Sequence, residues 1–226
     1  MLCTCEKCKI RNYFFKTLQP EDLKNFCNAR TELIVPSGKT FIVQGKKIKS
    51  FKYLQSGLIK LHKKDNNGRE QIISFGKPSD FVSIHNIFAE DYYSYSVTAI
   101  EKSSICTFDM NLIMNLIKTN GEFAFKIIQT TTKASNKIIS NSLDLIRKSM
   151  YGKVAGVILF FYLKVYKTKE FELPVSRKEI AQYTGLSIET VIRVISEFRR
   201  DGLIKVYGKS IEIVDESGLV FIYEHS

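Results

Sequence analysis

An acid and a guanidinium stand four residues apart in Glu189-Thr190-Val191-Ile192-Arg193. On a helix that spacing puts both on one face. There a carboxylate can accept from a cytosine amine and a guanidinium can donate to guanine in a DNA major groove. A second set is the chain's five cysteines, Cys3, Cys5, Cys8, Cys27 and Cys106. The pair in Cys5-Glu6-Lys7-Cys8 has a spacing that lets two thiolates reach one metal centre. The alternative is that Cys27 and Cys106 are small buried hydrophobes and that Cys5 and Cys8 hold adventitious zinc or nothing. The three histidines, His62, His85 and His225, fall in no Ser/His/Asp, zinc-protease or P-loop setting. No Gly-rich phosphate loop precedes a helix either, so an enzyme is the least supported reading. His62, between Lys60 and Lys63, reads as a solvated strand residue, and His85 as a surface loop residue or one lining a pocket.

The elements that would position Glu189 and Arg193 are written around them. Ser176 and Glu179 have the spacing of a capping box, Gly185 supplies a tight turn, and Ser187 caps a second helix. Ile180, Ala181, Leu186, Val191, Val194, Ile195 and Phe198 are spaced so that two short helices bury their faces against each other and against a preceding helix from Tyr151. The second helix then turns Ile188, Glu189, Ile192 and Arg193 outward. Two alternating runs around Tyr207-Gly208-Lys209-Ser210 predict a trailing hairpin, the wing of a winged helix-turn-helix. A compact three-helix domain without nucleic acid also needs a glycine corner. The coincidence of capping box, glycine turn, outward Glu/Arg pair and hairpin favours DNA.

Upstream, short β-rich runs punctuated by glycine extend from Leu33 to Phe108, and Asn66-Asn67-Gly68 marks a hairpin. They predict a small antiparallel barrel or double-sheet roll. From Glu122 to Lys148 the period becomes helical, without proline or glycine. Ile127, Thr131, Ala134, Ile138 and Leu145 form a narrow seam suited to pairing with a second copy, and Ile128, Ile139, Leu143 and Ile146 form another stripe.

Composition sets the outer bounds. The 44% hydrophobic and 25% charged fractions are those of a folded soluble protein, and 34 Lys+Arg against 23 Asp+Glu give +11, which favours a polyanionic partner. Met1 to Asn12 carry no apolar signal core, and the longest apolar run, Val154 to Leu163, is too short to span a bilayer. A cytoplasmic protein with no membrane contact is expected. In that reducing compartment the cysteines are not a disulfide framework.

The sequence resembles the Crp/Fnr family of bacterial regulators over nearly its whole length, and the Fnr-like branch more than the cyclic-AMP-binding branch. Glu189-Thr190-Val191-Ile192-Arg193 matches the family's Glu-Thr-x-x-Arg, Tyr53 to Lys60 looks like its strand-turn-strand, and Ser79-Asp80-Phe81 resembles its Gly-Asp-Phe. The resemblance implies an α+β architecture. Residues 1–120 would be an antiparallel β-roll sensor of the cyclic-nucleotide-binding-like jelly-roll type with an N-terminal cysteine arm. Residues 121–148 would be a dimerisation helix and 149–226 a winged helix-turn-helix. It further implies a homodimer on a palindromic double-stranded operator with a TGA-containing half-site, and RNA polymerase as a partner. Arg177, Lys178, Ser187 and Thr190 resemble the family's phosphate contacts; Ile192 stands where related branches carry serine or glycine, and could touch a thymine methyl.

The cyclic-AMP site of the family resembles Gly-Glu followed by Arg-Ser; here the positions hold Ser83-Ile84 and Ser94-Tyr95, so cyclic AMP is not expected. Cys106 lies where the oxygen-sensing branch places its distant cluster cysteine, which implies an iron–sulfur cluster on Cys5, Cys8, Cys27 and Cys106, with Cys3 as the other choice to Cys27. Phe14 occupies the place of that branch's further cysteine. Redox, oxygen or nitric oxide responsiveness would follow. The alternative is a regulator without a cluster, responsive to a small molecule other than a cyclic nucleotide or to none.

Overall fold

The computed structural model describes Leu18, residues 20–82, Ile84, Asn86 and residues 88–226. It divides into two compact units, one comprising the chain up to Lys63 with Ser74–Ile138, the other Lys64–Ile73 with Ile139–Ser226.

Along the chain α1 (Pro20–Asn28) is followed by β1 (Thr31–Val35), β2 (Thr40–Ile42), β3 (Ser50–Ser56), β4 (Ile59–Lys64), β5 (Glu70–Gly76), β6 (Ser96–Ala99) and β7 (Ser103–Asp109). Two antiparallel-paired sheets result, ordered β1-β7-β3 and β2-β6-β4-β5, which is the expected roll. The strand alternation decides what each face covers. Phe51 and Tyr53 pair with Phe108 and Cys106 and share one buried cluster with Leu18, Phe26, Ile113, Leu116, Phe123 and Ile127. Phe26 stacks on Phe108 at 4.2 Å, fixing α1 against β7. Leu54 and Ile105, also paired, point to the opposite face and are fully buried. Between β3 and β4, Gly57 sits at φ +87°, and a Cβ there would lie 2.6 Å from the Lys102 carbonyl oxygen. Only glycine tolerates both. Gly68 serves the β4–β5 turn at φ +76°, beside Asp65, whose Oδ1 accepts from the Asn67 and Arg69 amides.

His62 corrects one expectation. It is 5% exposed rather than solvated, and its Nε2 is 2.8 Å from Thr98 Oγ1, because β4 and β6 pair in a register that sets His62 opposite Ser96.

Asp109 ends β7 and caps α2 (Met110–Thr119), accepting from Asn111 N at 2.8 Å. Then α3 (Gly121–Arg147) runs for 27 residues, about 40 Å at 1.5 Å per residue. Ile127 and, one turn before it, Phe123 join the roll's cluster, whereas Thr131, Ala134, Ile138 and Leu145 of the expected seam are half-buried. The outward stripe is Phe125, Ile128 (61% exposed), Ile139, Leu143 and Ile146 (76%).

In the second unit Ser149 caps α4 (Met150–Leu159), which widens into a π-helical stretch over Phe160–Tyr166 and ends at Lys167 in the left-handed region. A short strand, β8 (Glu170–Glu172), leads to α5 (Arg177–Thr184) and α6 (Ile188–Arg200), the hairpin β9 (Ile204–Tyr207) and β10 (Ser210–Ile213), and a last helix, α7 (Glu216–His225). The sheet order is β8-β10-β9. Gly156 lets α7 lie directly on α4: a Cβ there would meet the Tyr223 ring at 2.9 Å. Tyr223 OH donates to Asp144 Oδ2 at 2.8 Å, and Lys148 Nζ donates to the Tyr223 carbonyl while lying over its ring at 4.1 Å.

Candidate DNA-binding interface

The two ends that orient the site are capped as the sequence predicts. Ser176 N donates to Glu179 Oε2 at 2.9 Å and Ser176 Oγ accepts from Glu179 N at 3.2 Å, a reciprocal box that starts α5. Gly185 closes α5 at φ 72°, a conformation that costs a side chain and not glycine. Two residues later Ser187 Oγ accepts from Thr190 N at 3.1 Å and starts α6. The inward face of α6 is Val191, Val194, Ile195 and Phe198, all buried. With that face fixed, Ile188, Glu189, Ile192 and Arg193 have no choice but solvent, and all four are exposed.

Chemistry differs along this outward face. The Glu189 carboxyl is held below its ordinary value, first by a backbone N–H at its own position and then by the Ser187 hydroxyl. It therefore stays an acceptor, favoured further by the positive end of the helix dipole. Arg193 is not beside Glu189. Its Nη1 lies 3.4 Å from Glu197 Oε1 and its Nη2 3.2 Å from Met150 Sδ at the start of α4, with the side chain half exposed. Glu197 also takes the Tyr151 phenol, which raises that phenol above its ordinary value. Sequence periodicity placed Glu189 and Arg193 on one face but gave no sign of Glu197 or Met150 as resting partners.

Of the remaining expected residues, Ser187 and Thr190 come together, their hydroxyls 3.0 Å apart. Lys178 is exposed; Arg177 is half-buried, and that desolvation lowers its pKa from the ordinary arginine value. The β9–β10 turn carries Gly208 at φ 61° and exposes Tyr207 and Lys209, while Lys205 pairs with Glu212 at 3.1 Å across the strands. The place of Tyr207 and Lys209 at the turn is marked in the sequence by a glycine between two alternating runs.

The cysteine set is only partly on view. Cys5 and Cys8, like Cys3, Phe14, Ser83 and His85, lie outside the described residues. Cys27, half-buried in the last turn of α1, is disulfide-bonded, against the expectation that the cysteines form no disulfide framework. Cys106 is fully buried on β7; its Sγ accepts from Arg30 Nη1 at 3.3 Å and donates to Gln55 Oε1 at 3.2 Å. Among the described residues no group of three or more His, Cys, Asp or Glu is gathered as a metal site.

Comparison with known proteins agrees with this geometry. Residues 152–221 match the Crp-like helix-turn-helix domain and residues 32–120 the cyclic nucleotide-binding domain. The chain is 31% identical over 192 residues to electron transport regulator A of Shewanella oneidensis, covering 82% of this chain and 75% of that protein. It is 26% identical over 216 residues to the nitrogen fixation regulation protein FixK of Bradyrhizobium diazoefficiens, covering 93% and 90%. In fold it is similar to FixK2 from Bradyrhizobium japonicum, with a TM-score of 0.77 at 21% identity, over 85% of this chain and 96% of that one. A Crp/Fnr-type putative regulator from Eubacterium rectale gives 0.78 at 18% identity, over 94% and 99%. An outward recognition helix, a wing and a β-roll thus coincide with matches along most of the sequence, and the chain belongs to the Crp/Fnr family of DNA-binding transcription regulators.

Proposed function

We propose that this regulator binds a palindromic operator as a homodimer, with Glu189 and Arg193 reading base edges of a TGA-containing half-site. The observation that carries the reading is the outward face of α6, where a carboxylate kept ionised and a guanidinium on a weak exposed pair stand over a fully buried opposite face. Glu189 accepts from a cytosine amine and Arg193, once released from Glu197, donates to guanine. Arg177, Lys178, Ser187 and Thr190 hold phosphates and set register, and Ile188 and Ile192 supply apolar contacts. The outward stripe of α3 is the dimer seam, because five large apolar side chains from Phe125 to Ile146 are left without cover. A two-fold dimer presents its recognition helices about 34 Å apart, one turn of DNA. RNA polymerase is the further partner in this reading, and the cytoplasm its place. No described helix is long and apolar enough to cross a membrane. Fluorescence anisotropy on a labelled TGA palindrome tests the reading: tight binding that is lost when one half-site is moved by half a helical turn supports it, and equal binding to both spacings refutes it.

The signal is proposed on narrower ground. Cyclic AMP is not the effector, since the roll offers Ser94 and Tyr95 where a phosphate-binding arginine would be needed. An iron–sulfur cluster on Cys5, Cys8, Cys27 and Cys106, with the Cys27 disulfide reduced, would supply oxidant sensitivity. What supports the set is that Arg30, three residues after Cys27, reaches the Cys106 sulfur at 3.3 Å, which brings the chain just after α1 to that cysteine. Protein purified without oxygen should contain iron and sulfide and lose both in air. Iron-free protein with oxygen-independent operator binding would leave a regulator without a cluster.

A further inference from the structure

On the inner face of the roll lies a half-buried cation that the fold does not explain. Lys52 is on β3, paired with Thr107 of β7, between Phe51 and Tyr53, which face the helices; its own side chain and that of Leu54 therefore point to the other face of the sheet, the interior. There Lys52 Nζ donates to Ser50 Oγ, sits 3.4 Å from Tyr93 OH and lies 5.9 Å from the centre of the Tyr93 ring. Among the described residues no carboxylate pairs with it. Burial depresses its pKa, as expected for an ammonium without a counter-charge. Tyr93 and Tyr95 are both buried, whereas Tyr92 and Ser94 beside them are exposed. Tyr95 follows Tyr93 by two residues, the spacing that returns to the same side of an extended chain, and its OH is buried with no hydrogen-bond partner among the described residues.

A hydrophobic residue at position 52 would cost less than an ammonium set among hydroxyls and aromatic rings. The combination of a positive charge, a phenol in contact with it and a second phenol with an unused polar atom has one complementary chemistry. All three can donate to an oxyanion.

We propose that the roll binds a small anionic ligand, a carboxylate or phosphate, on Lys52 and Tyr93, with Tyr95 OH donating to the same ligand. The site replaces the missing arginine with residues from other positions of the roll. It is independent of the operator reading, and its failure would leave that reading intact.

The test uses the full chain in thermal unfolding, with sodium phosphate and sodium acetate titrated against sodium chloride at constant ionic strength. Wild type should gain a saturable rise in Tm with at least one of the two anions. Lys52→Met should show none, and in chloride alone should melt no lower than wild type, since it removes an unpaired charge. Tyr93→Phe keeps the ring and should weaken the anion about threefold or more. A response that does not saturate, is absent from wild type, or is the same in wild type, Lys52→Met and Tyr93→Phe would overturn the site.

Discussion

Arg193 Nη1 rests 3.4 Å from Glu197 Oε1, one turn further along α6 and away from Glu189. The guanidinium must leave this pair to reach a base. Exposed pairs at this spacing contribute only about 0.3–0.5 kcal/mol, so the release is a minor cost beside a bidentate base contact of about 1–3 kcal/mol. Glu197→Gln should therefore tighten operator binding about threefold at most, measured by anisotropy at fixed salt. A tenfold gain would show that the pair is a real block to recognition.

The two stripes of α3 separate cleanly by substitution. Ile139 and Ile146 are exposed on the proposed seam, whereas Ile127 is buried against the roll. Ile139→Glu should leave the monomer folded and abolish the dimer at micromolar concentration in sedimentation. Ile127→Ala should leave the dimer and cost about 2–5 kcal/mol in unfolding. The opposite pattern would return the seam to the stripe that begins at Ile127.

At the end of α3, Tyr223 ties Asp144 and Lys148 to α7. Tyr223→Phe removes one hydrogen bond and should cost about 1 kcal/mol, while Gly156→Ala forces a methyl into the Tyr223 ring and should cost about 1–3 kcal/mol. The Tyr223 phenol is pushed up to about 12, by burial first and then by its bond to Asp144. A raised folded-state value means the protonated phenol is favoured by folding. Its contribution is whole below the ordinary tyrosine value of 10.0 and fades as the pH rises through about 12. The stability gap between wild type and Tyr223→Phe should accordingly be flat from neutral pH to about 10 and then close. A gap that changes near neutrality would mean another group governs this contact.

Much of the recognition surface was legible because capping and apolar spacing act locally: Ser176, Gly185 and Ser187 set two helix ends, and Val191, Val194, Ile195 and Phe198 leave α6 one possible outward face. Three features were not. Strand β8 is a single buried Phe171 between Glu170 and Glu172, too short for an alternation to register, and it exists because β10 pairs with it. Helix α7 reads as an unbroken apolar run, Leu219-Val220-Phe221-Ile222-Tyr223, and only its cap, Asp215 accepting from Gly218 N, marks it as helical. Periodicity defines the two stripes of α3 without saying which residues meet the roll; Phe123 and Ile127 do so through contacts distant in sequence. Arg193 was placed on the right face, but a long side chain's resting partner depends on tertiary neighbours such as Met150.

Base reading by α6 is tested most directly by selecting operators from a library of randomised palindromic half-sites with wild type and with Arg193→Ala. Wild type should enrich a half-site containing TGA, and Arg193→Ala should lose preference at the guanine while binding random DNA nearly as well as wild type, a specific loss of about 1–3 kcal/mol. The same motif enriched by both proteins, or equal weakening on selected and random DNA, would contradict it and leave Arg193 a contact to the backbone alone.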